Sequence, residues 1–92
     1  MEIKWTSKAL SDLNRLYEFL APADATAAAK IIRSLTSAPN ILSDRREGLG
    51  ERLDAFEPKE VRRLLVGSYE MRYEIQEYTL YVLRIWHTRE KR

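Results

Sequence analysis

The chain has 92 residues, 45% apolar and 33% charged, with a net charge of +2, a single histidine and no cysteine. That length suits one domain, residues 1–92, burying only about 60–65% of the surface that its unfolded form exposes, and the apolar share argues against general disorder. Disulfides, thiolate metal sites and a His-rich metal site are excluded, no stretch approaches the ~18 continuous apolar residues of a membrane span, and neither a metal nor a cofactor is expected.

Glu2 to Trp5 alternates polar and apolar and reads as a short strand. Thr6-Ser7 offers a helix cap. From Lys8 the apolar residues fall at Ala9, Leu10, Leu13, Leu16, Tyr17 and Leu20, the spacing of an amphipathic helix, with Asp12, Arg15 and Glu18 read as solvated positions. Pro22 ends this helix and Asp24 caps the next, whose apolar stripe runs through Ala28, Ile31, Ile32 and Leu35. Pro39 is expected to stop it near Ala38, since proline lacks the amide and clashes with the preceding turn. The short connection implies an antiparallel helical hairpin.

Ser43 to Gly50 reads as a polar loop, Glu51 to Ala55 as a short strand and Glu57-Pro58-Lys59 as a turn. Val61 to Val66 is a strand, followed by Gly67-Ser68 as a two-residue turn. Tyr69, Met71, Tyr73 and Ile75 alternate with Glu70, Arg72, Glu74 and Gln76, the signature of a strand with one wet face. Glu77-Tyr78 turns the chain again. Leu80 to Trp86 is apolar on both faces except at Arg84, which suggests a central strand. Burying an unpaired guanidinium is costly, so Arg84 must find solvent, a carboxylate or an open face. Trp5, Phe19, Tyr73 and Trp86 are expected in the core, and Arg62 faces water or pairs with Glu60 or Glu74. The fold class is α+β: an N-terminal strand, a helical hairpin, then a three- to four-stranded antiparallel sheet with the hairpin on one face. The N-terminus lacks the basic-then-apolar order of a secretion signal, so the cytoplasm is the expected location. Arginine outnumbers lysine, favouring flat contacts to carboxylates and phosphates.

Several of these segments together resemble the RelE/ParE toxin superfamily. The resembling residues are Trp5, Lys8-Ala9-Leu10-Ser11-Asp12-Leu13, Tyr17-Glu18-Phe19-Leu20, the run Val61 to Ile75, and Leu83-Arg84-Ile85-Trp86-His87-Thr88-Arg89. The pattern Val-Arg-x-Leu, Tyr-x-x-x-Tyr and a terminal His-x-Arg is similar to the ParE-type members, which include plasmid stabilisation proteins. The resemblance implies the toxin of a type II toxin–antitoxin pair, neutralised by a ParD-like antitoxin, with a toxin dimer allowed inside the complex. Separately, an apolar groove between hairpin and sheet is expected to bind a partner helix or an extended segment. ParE-type toxins act on DNA gyrase and block replication; RelE-type toxins cut messenger RNA on the ribosome.

RNA cleavage through the 2′-hydroxyl needs a base, a phosphate clamp and an acid. Glu51 or Glu47 would be the base, Arg62 the clamp and His87 the acid. One RelE subgroup, however, carries a tyrosine directly after the histidine, where this chain has Thr88. Others rely on lysines in mid-chain, and none stands between Lys30 and Lys59. The preferred expectation is therefore a gyrase-binding toxin with no catalytic residues, contacting its target through Arg84, His87 and Arg89, supported by Arg62 and Arg72. The alternatives are a metal-independent RelE-like endoribonuclease and a non-toxic binding module.

Overall fold

The structure, a computed structural model, describes residues 1–44 and 50–90. Glu47, the other base considered, lies outside them. Five strands form one mixed sheet in the order β1-β5-β4-β3-β2, with β1 Glu2–Trp5, β2 Glu51–Arg52, β3 Glu60–Val66, β4 Tyr69–Gln76 and β5 Thr79–His87. Helices α1 Ser7–Leu20 and α2 Ala25–Asp44 pack on one face. The α+β class and the helical pair match the sequence reading. The sheet is wider than expected, because β1 joins it parallel to β5, Ile3 opposite Leu80 and Trp5 opposite Val82.

Local chemistry explains the boundaries. The Thr6 hydroxyl caps α1 by accepting the Ala9 N–H at 3.1 Å. The same hydroxyl donates to the carbonyls of Val82 and Leu83, tying the helix start to β5. Asp24 caps α2 through the Ala27 N–H. Helix α2 does not stop at Ala38: Pro39 lies inside it, and the helix continues to Asp44. An interior proline costs about 3 kcal/mol. Fully burying a leucine contributes about 1.5–3 kcal/mol, and the turn beyond Pro39 buries Leu42 on the stripe of Leu35 and Ala38. Tertiary packing thus offsets the lost amide.

The expected strand over 51–55 is shorter. Only Glu51 and Arg52 pair with β3, and Asp54–Phe56 turns into a 3-10 helix. Gly50 is required here, since a Cβ would overlap the Arg63 carbonyl.

The core holds Leu16, Leu35, Leu42, Met71, Tyr73, Leu80, Val82 and Ile85 against Ile3, Trp5 and Leu64. Trp86 is buried on the other face of the sheet. Phe19, expected in the core, is instead 80% exposed on α1. A β-bulge lies between β4 and β5: Arg72 faces Arg84, but Tyr73 faces Val82, so Leu83 is the extra residue. Without it Arg84 would share the helix-covered face with Leu80 and Val82, since parity fixes the face. The bulge sends Arg84 to the open face and returns Ile85 to the core.

Candidate functional site

Strand β1 ends at Trp5, opposite Val82, while β5 runs on to His87. The last residues of β5 would therefore form a bare edge, and α1 covers it with two side chains. Asp12, 4% exposed, accepts the Ile85 N–H at 2.8 Å. Arg15 donates to the Ile85 carbonyl at 3.2 Å. Together they satisfy the amide as a neighbouring strand would. Asp12 also receives two hydrogen bonds from Arg84, at 2.8 and 3.2 Å, and one from Arg15 at 3.3 Å. Burial pushes the Asp12 carboxyl up; the bonds from Arg84, the Ile85 amide and Arg15 outweigh it and hold the carboxyl below its ordinary range. Asp12 is thus not the solvated position expected of it, whereas Arg15 stays exposed as expected while reaching back to β5. Asp12 lies three residues after Ala9 and four before Leu16, the other buried residues of α1, so the helical stripe carried a signal for its burial.

On the open face, Arg63, Arg72 and Arg84 stand opposite one another on β3, β4 and β5. Like charges in register repel. Carboxylates offset this: Glu70, 1% exposed, lies 3.4 Å from Arg63 and 3.2 Å from Arg72, Glu51 holds Arg63 at 2.9 Å, and Asp12 holds Arg84. The guanidiniums of Arg72 and Arg84 lie 4.9 and 5.5 Å from the centre of the Trp86 ring, and that of Arg72 lies 5.6 Å from Phe56. Cation–π contact of this kind adds about 0.5–2 kcal/mol each.

Beyond β5 the chain turns back through 88–90. The Thr88 N–H donates to the Ser68 carbonyl, and the Arg89 N–H to Nδ1 of His87. His87 meets Tyr69 edge to face at 5.2 Å. A groove of about 450 Å³ lies between this turn and α1, lined by Leu16, Phe19, Leu20 and Tyr69 with Arg15 and Arg89. A second groove, of about 660 Å³, runs between α2 and β3, with Ala38, Ile41, Leu42, Leu64 and Val66 flanked by Lys30 and Arg33.

The nuclease candidates do not converge. Glu51 pairs opposite Arg63 on the open face, while Arg62 and His87 belong to the helix-covered parity. Arg62 faces Tyr73 and His87 faces Tyr69, so the two are four residues apart along the sheet and two strands across. That separation is about 13 Å by 10 Å. Arg62 is also occupied: it bonds Glu60 at 2.8 Å and the Gly50 carbonyl at 2.8 Å, beside the Tyr73 hydroxyl that accepts the Gly50 N–H at 2.6 Å. Of the expected target contacts, Arg72 and Arg84 share the open face around Trp86, His87 and Arg89 line the smaller groove, and Arg62 stands apart. Arg15 and Glu90, which join that groove, were not among the expected site residues. Among the described residues, no group of three or more His, Asp or Glu is placed to hold a metal ion, and no helix is long and apolar enough to cross a membrane.

The family model described as the ParE toxin of the type II toxin-antitoxin system, parDE, matches residues 3–92. Among solved structures, the chain is similar to one titled the chromosomal ParDE TA system from P. aeruginosa, at 19% identity over 95% of each chain, with a TM-score of 0.74. No curated protein matches the sequence.

Proposed function

Since the chain belongs to the ParE toxins of type II toxin–antitoxin systems, we propose that it arrests growth by binding DNA gyrase and blocking replication, and that a ParD-like antitoxin neutralises it in the cytoplasm. The separation of Glu51, Arg62 and His87 carries the choice of binding over RNA cleavage. An acid, a base and a phosphate clamp must all lie within reach of one phosphodiester, and these three point from two faces of the sheet. Arg62 is in addition held by Glu60 and the Gly50 carbonyl. Cationic and aromatic groups suited to a protein partner gather instead at the end of β5, where His87 and Arg89 flank a groove and Arg84 is exposed.

The antitoxin reading is supported by the larger groove. It lies beside Leu64–Val66, the part of β3 beyond its pairing with β2. An extended segment can add to such an edge while apolar side chains settle between Ile41 and Leu65. Lys30 and Arg33 at its rim suit an acidic segment.

Purified toxin added to gyrase should inhibit supercoiling or trap cleaved DNA, and the antitoxin should abolish the effect. Full supercoiling activity at saturating toxin, together with cut messenger RNA in a translation extract, reverses the assignment.

A further inference from the structure

The carboxylate of Glu90 is seated rather than solvated. One oxygen accepts from Arg15 Nη1 at 2.6 Å and the other from the His87 N–H at 2.8 Å. A guanidinium and a backbone amide converging on two oxygens form a carboxylate-binding seat. What fills it is a residue of the turn at 88–90, held otherwise by its own N–H to the His87 carbonyl at 2.9 Å. The seat opens onto the smaller groove, whose floor is Leu16, Leu20 and Tyr69 and whose rim carries Phe19, 80% exposed, and Arg89. At about 450 Å³ the groove is large enough for a bulky side chain.

We propose that Glu90 is an internal stand-in for a partner's carboxylate, and that seat and groove together accept an acidic residue adjacent to an aromatic or large aliphatic one on a protein partner. This deepens the gyrase-binding reading and rests on it for the identity of the partner, not for the recognition chemistry. A protein segment fits better than a nucleic acid. The seat offers one guanidinium and one amide, enough for a single carboxylate, whereas a phosphodiester chain needs several cations in file. The floor of Leu16, Leu20 and the Tyr69 ring is apolar, which suits an apolar side chain excluded from water. Arg89 supplies a further positive charge for the partner's acidic residue. Displacing Glu90 exchanges one carboxylate for another, so the seat keeps its hydrogen bonds when the partner arrives. The cost is that only molecules with Glu90 out can bind, so the apparent affinity is the intrinsic affinity multiplied by that fraction.

The test uses the full chain, labelled with ¹⁵N and titrated with acetyl-Gly-Asp-Phe-Gly-amide, with the Asp→Asn and Phe→Ala versions of that peptide as controls. The parent peptide should shift the amides of Phe19, Leu20, His87 and Arg89, and each control peptide should bind at least about 5-fold more weakly. Glu90→Gln should tighten the parent peptide several-fold by emptying the seat. Phe19→Ser, at an exposed rim position, should loosen it while leaving the melting temperature in place. Equal binding of the Asn peptide, an unchanged affinity in Glu90→Gln, or displacement of the peptide by inorganic phosphate or a 12-nucleotide single strand at equal concentration overturns the proposal. Gyrase assays separate the two readings. Peptide binding without gyrase inhibition sinks the gyrase target alone. Inhibition whose potency ignores both Glu90→Gln and Phe19→Ser sinks the seat alone.

Discussion

Replacing Asp12 by asparagine keeps the side chain's shape and removes the charge that Arg84 and Arg15 surround. Breaking a buried ion pair from one side leaves the other charge stranded, at a cost of about 3–5 kcal/mol; Arg84 is half exposed, so about 2–3 kcal/mol is expected here. The pH dependence has a defined sign. The folded carboxyl lies below its ordinary value of 3.8, so its contribution is complete above that value and is lost as pH falls through the folded pKa. Urea melts from pH 7 down to 2.5 should show the native protein losing stability below about pH 4, with Asp12→Asn much flatter over that window. Two parallel curves would place the acid sensitivity elsewhere. The burial of Asp12 was readable from its stripe with Ala9 and Leu16. Its partners were not, because they depend on β1 ending before β5 does.

Glu77 opens the turn between β4 and β5 with φ +54°, a left-handed conformation, whereas the turn between β3 and β4 places Gly67 at φ +61°. A residue with a Cβ is strained there by about 1 kcal/mol, and glycine is not. Glu77→Gly should therefore stabilise the domain by about 0.5 kcal/mol after the added freedom of the unfolded chain is subtracted. A lower urea midpoint would show that Glu77 makes a compensating contact. The alternation of β4 was plain in the sequence because one face is apolar and the other ionic. The pattern of β5 was misleading: the bulge at Leu83 shifts its parity midway, so a strand with a consistent core face looked apolar on both. Pro39 misled for a different reason. Local propensity predicts a stop, and the burial of Leu42 overrides it.

The whole molecule places both helices on one face and leaves a long groove between α2 and β3. A partner that occupies this groove at 100 times its dissociation constant stabilises the fold by about 2.7 kcal/mol, which for a domain of this size raises the melting temperature by about 10–20 °C. Differential scanning fluorimetry of toxin with purified antitoxin measures this directly; no shift at saturation argues that the antitoxin docks elsewhere. Element order and type were legible in the sequence because they rest on periodicity. The candidate site was legible only in part. His87 and Arg89 stood out as polar residues at a strand end, but Arg15 and Glu90 are brought to them by the packing of α1 on β5, across 75 positions.

The parallel pairing of β1 with β5 joins residues 2–5 to residues 79–82. On the ribosome, β1 and both helices are made long before the strand that anchors them. The Thr6 cap, the Asp12 seat and the floor beneath α1 all await β5. The nascent chain therefore lacks the smaller groove, which is closed by His87, until β5 emerges. For a member of the ParE toxin family, the fold thus builds in a delay between the synthesis of its helices and the completion of that groove.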